Sequence, residues 1–334
     1  MSRNDKFILN RREFIKGSLA GITFFPSLGY PLLDRRGKKK RKAKIALIKT
    51  HDRKDGVRKA MELLHFPPVR GKKVLIKPNF NTADPHPGST HNETLTQIVF
   101  ELRGRGASEI TVGDRSGPPE TKRVLEEKGI FGLAKELEFK IINFEELEDK
   151  DWVHFNPAGN HWSNGFFVPR CVTEAEYIVS TCCLKTHQFG GVFTLSLKLS
   201  VGVTPKTLMR ELHRSPDMRK MIAEINLGYK PQLIILDGVE AFVDGGPSKG
   251  TKKQADVFIA GDDRVAVDAA GLAVLKELGS NKAIMESMIF EQEQISRAVE
   301  LDLGVSRPDQ VEFVTPDKPS REYARRLKSI LALG

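Results

Sequence analysis

From residue 43 onward, short apolar runs alternate with segments whose apolar residues recur every three or four positions, the pattern of strands and helices in βαβ order. Strands are predicted at 43–50, 72–80, 109–116, 138–144, 177–183, 232–239, 255–261 and 310–315. Helices are predicted around 54–65, 93–105, 120–128, 192–201, 205–213, 216–227, 264–278 and 319–332. In the helix at 93–105, Leu95, Ile98, Val99 and Leu102 form a single stripe. The strand runs "VLI", "ITV" and "KII" are apolar at consecutive rather than alternate positions, so both faces of the sheet are expected to be covered. The predicted fold is α/β, a mostly parallel, Rossmann-like sheet flanked by helices, in which a middle excursion over 145–230 could form a second, smaller lobe. The expected organisation is a leader at 1–33, a polybasic linker at 34–42, the α/β domain at 43–315 and a C-terminal helix at 316–334.

Charge changes this picture only at the N-terminus. The chain of 334 residues has a formal net charge of +10, but residues 1–44 hold 13 Lys/Arg against three acidic residues, and the rest holds 40 of each sign. A formally neutral body lacks the electrostatic footprint of a nucleic-acid binder, so no nucleic-acid partner is expected. Three cysteines, Cys171, Cys182 and Cys183, supply no disulfide framework and no ferredoxin or zinc-ribbon spacing. Strand alternation sends Cys182 and Cys183 to opposite faces, a poor arrangement for shared ligation of a metal.

The leader reads "NRREFIK" and then a weakly apolar stretch, 17–33, interrupted by Gly21, Pro26 and Gly29. It resembles a twin-arginine export signal, which implies the twin-arginine translocation machinery as a partner, an exported or periplasmic location, and export in the folded state. The run "DRRGKKKRKAK" at 34–44 reads as a solvated linker; the alternative is contact with anionic lipid, the leader remaining as a membrane anchor.

Open α/β sheets bind ligands beyond the carboxyl ends of their strands, where the candidate chemistry of this chain collects. The strand at 72–80 ends in Lys77 and Asn79, with His91 across its loop; Asp114 ends the strand at 109–116; Lys185 and His187 follow 177–183; the strand at 232–239 ends in Asp237, with the turn glycines Gly245 and Gly246 beyond. Turn chemistry and helix capping are the bland reading of each, and Asp268 is expected to pair locally on a helix surface. Gly190 and Gly191 permit a tight turn whose amides, with the N-terminus of the expected helix at 192, point to an anion. Lys198 falls on the Gly191 face of that helix, where a buried amine would have a lowered pKa. Lys185, His187, Asp114 and Lys198 are the catalytic candidates. Lys77, Asn79, Gly190, Gly191, Asp237, Gly245 and Gly246 are the candidates for holding a small-molecule ligand or cofactor. A metal ion, if one is used, would draw on His91, His187 and Asp114.

The ordered motifs "VLIKPNF", "TVGDRSG", "YIVSTCCLKTHQFGGVFTLSLKLSVG", "LIILDGVEAFVDGGPSKGT" and "FIAGDDRVAVDAAG" resemble the family catalogued as domain of unknown function 362, across about residues 43–315. That resemblance implies an α/β protein associated with iron–sulfur or redox chemistry, usually through an attached ferredoxin module whose cysteine motif is missing from this sequence. The segment "THQFGGVFTLSLKLSVGVTP" is also similar in layout to part of the nickel-pincer lactate racemases, in which a lysine tethers the cofactor and histidines move protons. By position this implies Lys198 and His187. Together the resemblances imply an oxidoreductase or isomerase acting on a small anionic substrate, with a ligand-binding or cofactor-maturation protein as the alternative. The export reading is tested by replacing both Arg11 and Arg12 with Lys: the full-length chain is expected to stay in the cytoplasmic fraction, and unchanged export would refute the signal.

Overall fold

The computed structural model describes residues 42–333; the expected export signal and most of the expected lipid-contact segment fall within residues 1–41, outside the described residues. The described strands are β1 (Ala43–Lys49), β2 (Lys73–Lys77), β3 (Glu109–Asp114), β4 (Lys140–Asn143), β5 (Trp152–Phe155), β6 (Phe166–Pro169), β7 (Tyr177–His187), β8 (Val192–Thr194), β9 (Leu233–Gly245), β10 (Gly250–Gly261) and β11 (Val311–Val314). The main sheet runs β11-β1-β10-β9-β7-β2-β3-β4, with β8 pairing onto the end of β7. Five pairings are parallel, β11 on β1 and the unbroken series β9-β7-β2-β3-β4. The mostly parallel α/β fold read from the apolar runs is the fold observed.

The two faces of the sheet bury alternate residues of the same strands. Ile45, Leu47, Cys182 and Leu236 pack beneath the helices Arg264–Glu277 and Lys318–Leu333. Ala46, Ile48, Ile76 and Ile235 face the helices Arg53–Leu63 and Asn92–Gly104. Strand β7, at the centre, is buried at every one of its 11 positions, which is why its sequence shows no period of two. Both Cys182 and Cys183 are buried there.

Two departures from the sequence reading have physical causes. Strands β9 and β10 form a longer antiparallel hairpin than the apolar runs at 232–239 and 255–261 suggest, because Lys252, Lys253 and Gln254 on its outer arm are exposed and polar. The helix expected at 192–201 does not exist as such. Val192–Thr194 turns back and pairs with Lys185–His187, and the helical part is reduced to one α-turn, Ser196–Leu199, continued by a 3-10 turn, Ser200–Val203. The β-branched and aromatic residues Val192, Phe193 and Thr194 favour that pairing over the start of a helix.

The middle excursion builds a two-stranded sheet, β5 on β6, but not a core of its own. Its apolar cluster includes Leu75, Phe144 and Ile178, so it packs against the main sheet. The fully buried Glu224 pins it further by accepting from His161 Nδ1 at 2.6 Å and pairing with Arg297 of the helix Glu293–Glu300 at 2.8 Å.

Gly56 offers a test of this packing. A Cβ there would lie 2.3 Å from the Phe258 ring. Helix propensity alone would make Gly56→Ala stabilising by about 1 kcal/mol. The clash reverses the sign, and urea unfolding is expected to show a loss of about 1–3 kcal/mol.

Candidate anion-binding site

Strands β2, β3 and β7 are neighbours, and their last residues, Lys77, Asp114 and His187, put three different functional groups at one edge of the sheet. The loops that follow enclose a recess of about 50 Å³ lined by Lys77, Asn79, Asp114, Arg115, Lys185, His187 and Lys198, among others. The recess opens into a cleft of about 990 Å³, and Arg115, His187 and Lys198 line both. Six of the candidates read from the amino-acid sequence therefore meet in one place: Lys77, Asn79, Asp114, Lys185, His187 and Lys198. Gly190 lies on the wall of the outer cleft.

Charge dominates this recess. Four cations, Lys77, Arg115, Lys185 and Lys198, share it with one carboxylate. Asp114 pairs with Lys77 Nζ at 2.5 Å and accepts backbone N–H groups from Phe80 and Arg115, both at 2.7 Å. Burial pushes the Asp114 carboxyl up and the Lys77 amine down, and their ion pair opposes both shifts. Arg115 spends its guanidinium on the carbonyls of Ser116, Val201 and Thr204, and burial lowers its pKa to about 10. These bonds tie the loop after β3 to the 201–204 segment.

The other two lysines have no such carboxylate. Lys185 donates to Asn79 Oδ1 at 3.1 Å and to the Gly88 carbonyl, and burial lowers its pKa to about 8. For Lys198, burial first and then the charges of Lys185 and Arg115 lower the pKa to about 7. No acceptor among the described residues meets its amine. His187 accepts the Gly191 N–H at Nδ1, 3.3 Å away, which leaves its proton on Nε2. Burial and the neighbouring Lys198 and Lys185 hold its pKa far below the usual imidazole range. Its lowered pKa favours the neutral imidazole with a donor at Nε2, while the Lys198 amine comes close to neutrality. Asp114 is committed to Lys77 and does not orient His187.

Lys198 is held from behind by a residue that the sequence reading misplaced. Asp268, expected on a helix surface, is fully buried and accepts the N–H groups of Ser196 and Leu197 at 2.7 and 3.0 Å. Its carboxyl, raised by burial to about 7, occupies the free amides at the start of the turn that carries Lys198. That helix start is therefore not available to a ligand, and the anion-binding capacity rests on the side-chain cations. A lone carboxylate in "RVAVDAAGLAVL" is the signal in the sequence for that burial. Gly191 lies against Lys198 through the β7–β8 hairpin instead of a helix face: a Cβ on it would stand 2.7 Å from Lys198 Cε. Gly202, which is not among the site candidates read from the sequence, approaches the Lys77–Asp114 pair in the same way, at 2.7 and 2.8 Å.

Several candidates lie elsewhere. His91 caps the helix Asn92–Gly104 by accepting the Glu93 N–H. Asp237 points to the helices on the opposite face, where Arg53, Thr94 and the Val239 N–H satisfy it. Gly245 and Gly246 adopt positive φ, +76° and +71°, in the turn that lays Pro247 over the recess; a Cβ on Gly246 would meet the Thr186 carbonyl at 2.1 Å. His91, His187 and Asp114 do not converge, and among the described residues no three His, Cys, Asp or Glu side chains are placed to hold a metal ion. A recess of lysines fits a metal cation poorly in any case, because ammonium groups repel it and donate no electron pair. The three cysteines are free, and Cys182 and Cys171 belong to different apolar clusters.

The chain belongs to the family described as domain of unknown function (DUF362), whose model matches residues 74–273. It is 24% identical over 209 residues to a thylakoid-associated protein of Synechocystis sp., an alignment covering 59% of this chain and 61% of that protein. The chain thus spans about three fifths of the length of the curated relative it matches. Among solved structures it is similar to the lactate racemase apoprotein of Thermoanaerobacterium thermosaccharolyticum, at 13% identity and a TM-score of 0.44, covering 84% of this chain and 85% of that one. A protein of Thermotoga maritima matches at 15% identity and a TM-score of 0.42, covering 67% and 56%.

The lysine pKa values make anion binding pH-dependent in a defined direction. An anion prefers the protonated amines, so affinity is expected to rise as pH falls through about 8 and then about 7. Sulfate keeps its charge over this range, and calorimetry should show proton uptake on binding that shrinks in Lys198→Met. Affinity independent of pH between 9 and 6 would refute the assignment.

Proposed function

We propose that this chain is an enzyme of the isomerase type that binds an organic anion in the recess and moves a proton at the carbon beside the anionic group. The observation that carries the reading is Lys198: a buried amine with a pKa of about 7, unpaired among the described residues, at the junction of recess and cleft. Such an amine is a competent base at neutral pH, whereas an ordinary lysine is almost wholly protonated.

In this proposal Lys198 takes the proton from the substrate carbon. The electron pair left behind moves onto a substrate oxygen, where the His187 Nε2–H and the remaining N–H of Lys185 stabilise it. Lys198 then returns the proton to the substrate, on the other face or at a neighbouring carbon. The bound anion raises the Lys198 pKa, so the step starts from the fraction of complex in which the amine is still neutral, and the anion then offsets the positive charge that Lys198 acquires. Lys77, neutralised by Asp114, adds no net charge and helps to fix the shape of the recess. The donor set does not suit a metal ion, and no step passes through one. Following the leader's resemblance to a twin-arginine signal, the proposal puts the enzyme outside the cytoplasm.

The experiment is exchange of substrate C–H for deuterium in D₂O, followed by NMR over a panel of 2-hydroxy, 2-oxo and phosphorylated acids. Lys198→Met is expected to slow exchange by a factor of about 10²–10⁴. Exchange at the wild-type rate in that variant, or no exchange with any acid that binds, would sink the proposal.

A further inference from the structure

The cleft is far larger than the recess it serves. A recess of about 50 Å³ holds little more than one carboxylate or phosphate group, whereas the cleft of about 990 Å³ is at the upper end for drug-sized ligands. A small acid would leave most of it filled with water. Much of its wall is apolar, with Pro118, Pro119, Phe189, Met209, Pro216 and Met218 lining it beside cations such as Lys206 and Arg219. Methionines suit a wall that must adapt to an apolar chain. Among the described residues no Asp or Glu lines the cleft, although the chain holds 43 of them.

The mouth has the same character. Phe189, at the tip of the β7–β8 hairpin, is 62% exposed and stands edge-on to His187 with ring centroids 6.0 Å apart. An aromatic side chain left in solvent at the entrance of a cavity gains apolar contact only when something occupies that cavity. The apolar wall, the absence of carboxylates and the cationic end form one continuous path, because Arg115, His187 and Lys198 belong to both compartments.

We infer that the ligand is an amphipathic anion, an alkyl or aryl chain ending in a carboxylate or phosphate, with its head in the recess and its chain along the cleft wall. The inference rests on the anion-binding reading above and deepens it by naming the ligand class. Calorimetry with the purified full chain tests it, using acetate, butyrate, hexanoate, octanoate and octyl phosphate below their micellar concentrations, and sulfate as the head-group control. Affinity is expected to rise up to about fourfold per added methylene until the cleft is filled. Octanoate and octyl phosphate distinguish the head group, and tight binding of either supports the inference. Phe189→Ser, a change at an exposed position, is expected to lower the ratio of octanoate to acetate affinity several-fold. In Phe189→Trp, octanoate should shift the tryptophan emission to the blue and acetate should not. A flat chain-length series with sulfate binding intact would overturn this inference and leave the anion reading standing. Failure of every probe, sulfate included, would overturn both.

Discussion

Four cationic side chains, Lys77, Arg115, Lys185 and Lys198, are drawn out of water around a recess of about 50 Å³ that contains a single carboxylate. Burying unpaired charge costs several kcal/mol per ion, so the fold must satisfy, neutralise or leave ready for a ligand each of these groups. Lys77 is satisfied by Asp114, Arg115 by three carbonyls, and Lys185 in part by Asn79 and Gly88. Lys198 receives none of these, and its amine is neutral over part of the physiological range as a direct result. The arrangement can be relieved by an anion or by loss of a proton. A site that alternates between those two states is suited to binding and proton transfer together.

The scaffold holding these charges is largely made of groups with no charge to offer the ligand. Asp268 fixes the Ser196–Leu199 turn through two backbone amides, and Gly191 and Gly202 let the chain pass within contact distance of Lys198 and of the Lys77–Asp114 pair. Backbone pressed this close excludes water, which lowers the local dielectric and magnifies the influence of each neighbour on Lys198. The depressed pKa thus belongs to the packing as much as to the lysine.

How much of this was legible in the sequence depended on which physical rule was at work. The strand ends were readable because consecutive apolar runs in βαβ order imply parallel strands, and parallel strands present their carboxyl ends on one edge; Lys77, Asp114, Lys185 and His187 follow from that alone. The face of the sheet was not readable. His91 and Asp237 share the same edge by position, yet the loop after β2 and the alternation of β9 send them toward the helices Arg53–Leu63 and Asn92–Gly104. The segment 192–199 failed for a different reason: its pairing partner is β7, and a tertiary hairpin overrode a local pattern compatible with a helix. Lys198 still arrives beside Gly191, because the hairpin brings the two together as a helix face would have done.

Two polar clusters at one sheet edge can be told apart by whether their hydrogen-bonding capacity is used up. Asp237 accepts from Arg53, Thr94 and the Val239 amide, and His86 lies 3.3 Å from it; such a carboxylate joins two helices to a strand and has little left to offer a ligand. Lys198 and the Nε2–H of His187 face a cavity with their donors unspent. Evolution tolerates a buried amine without a partner only where an occupant compensates for it, since replacement by a hydrophobic residue of similar volume would otherwise be more stable. The same logic applies at the cleft mouth, where the exposed Phe189 lacks an apolar partner just as Lys198 lacks an anionic one. One ligand that carries both groups relieves both deficits, and it binds with a single loss of translational and rotational freedom rather than two.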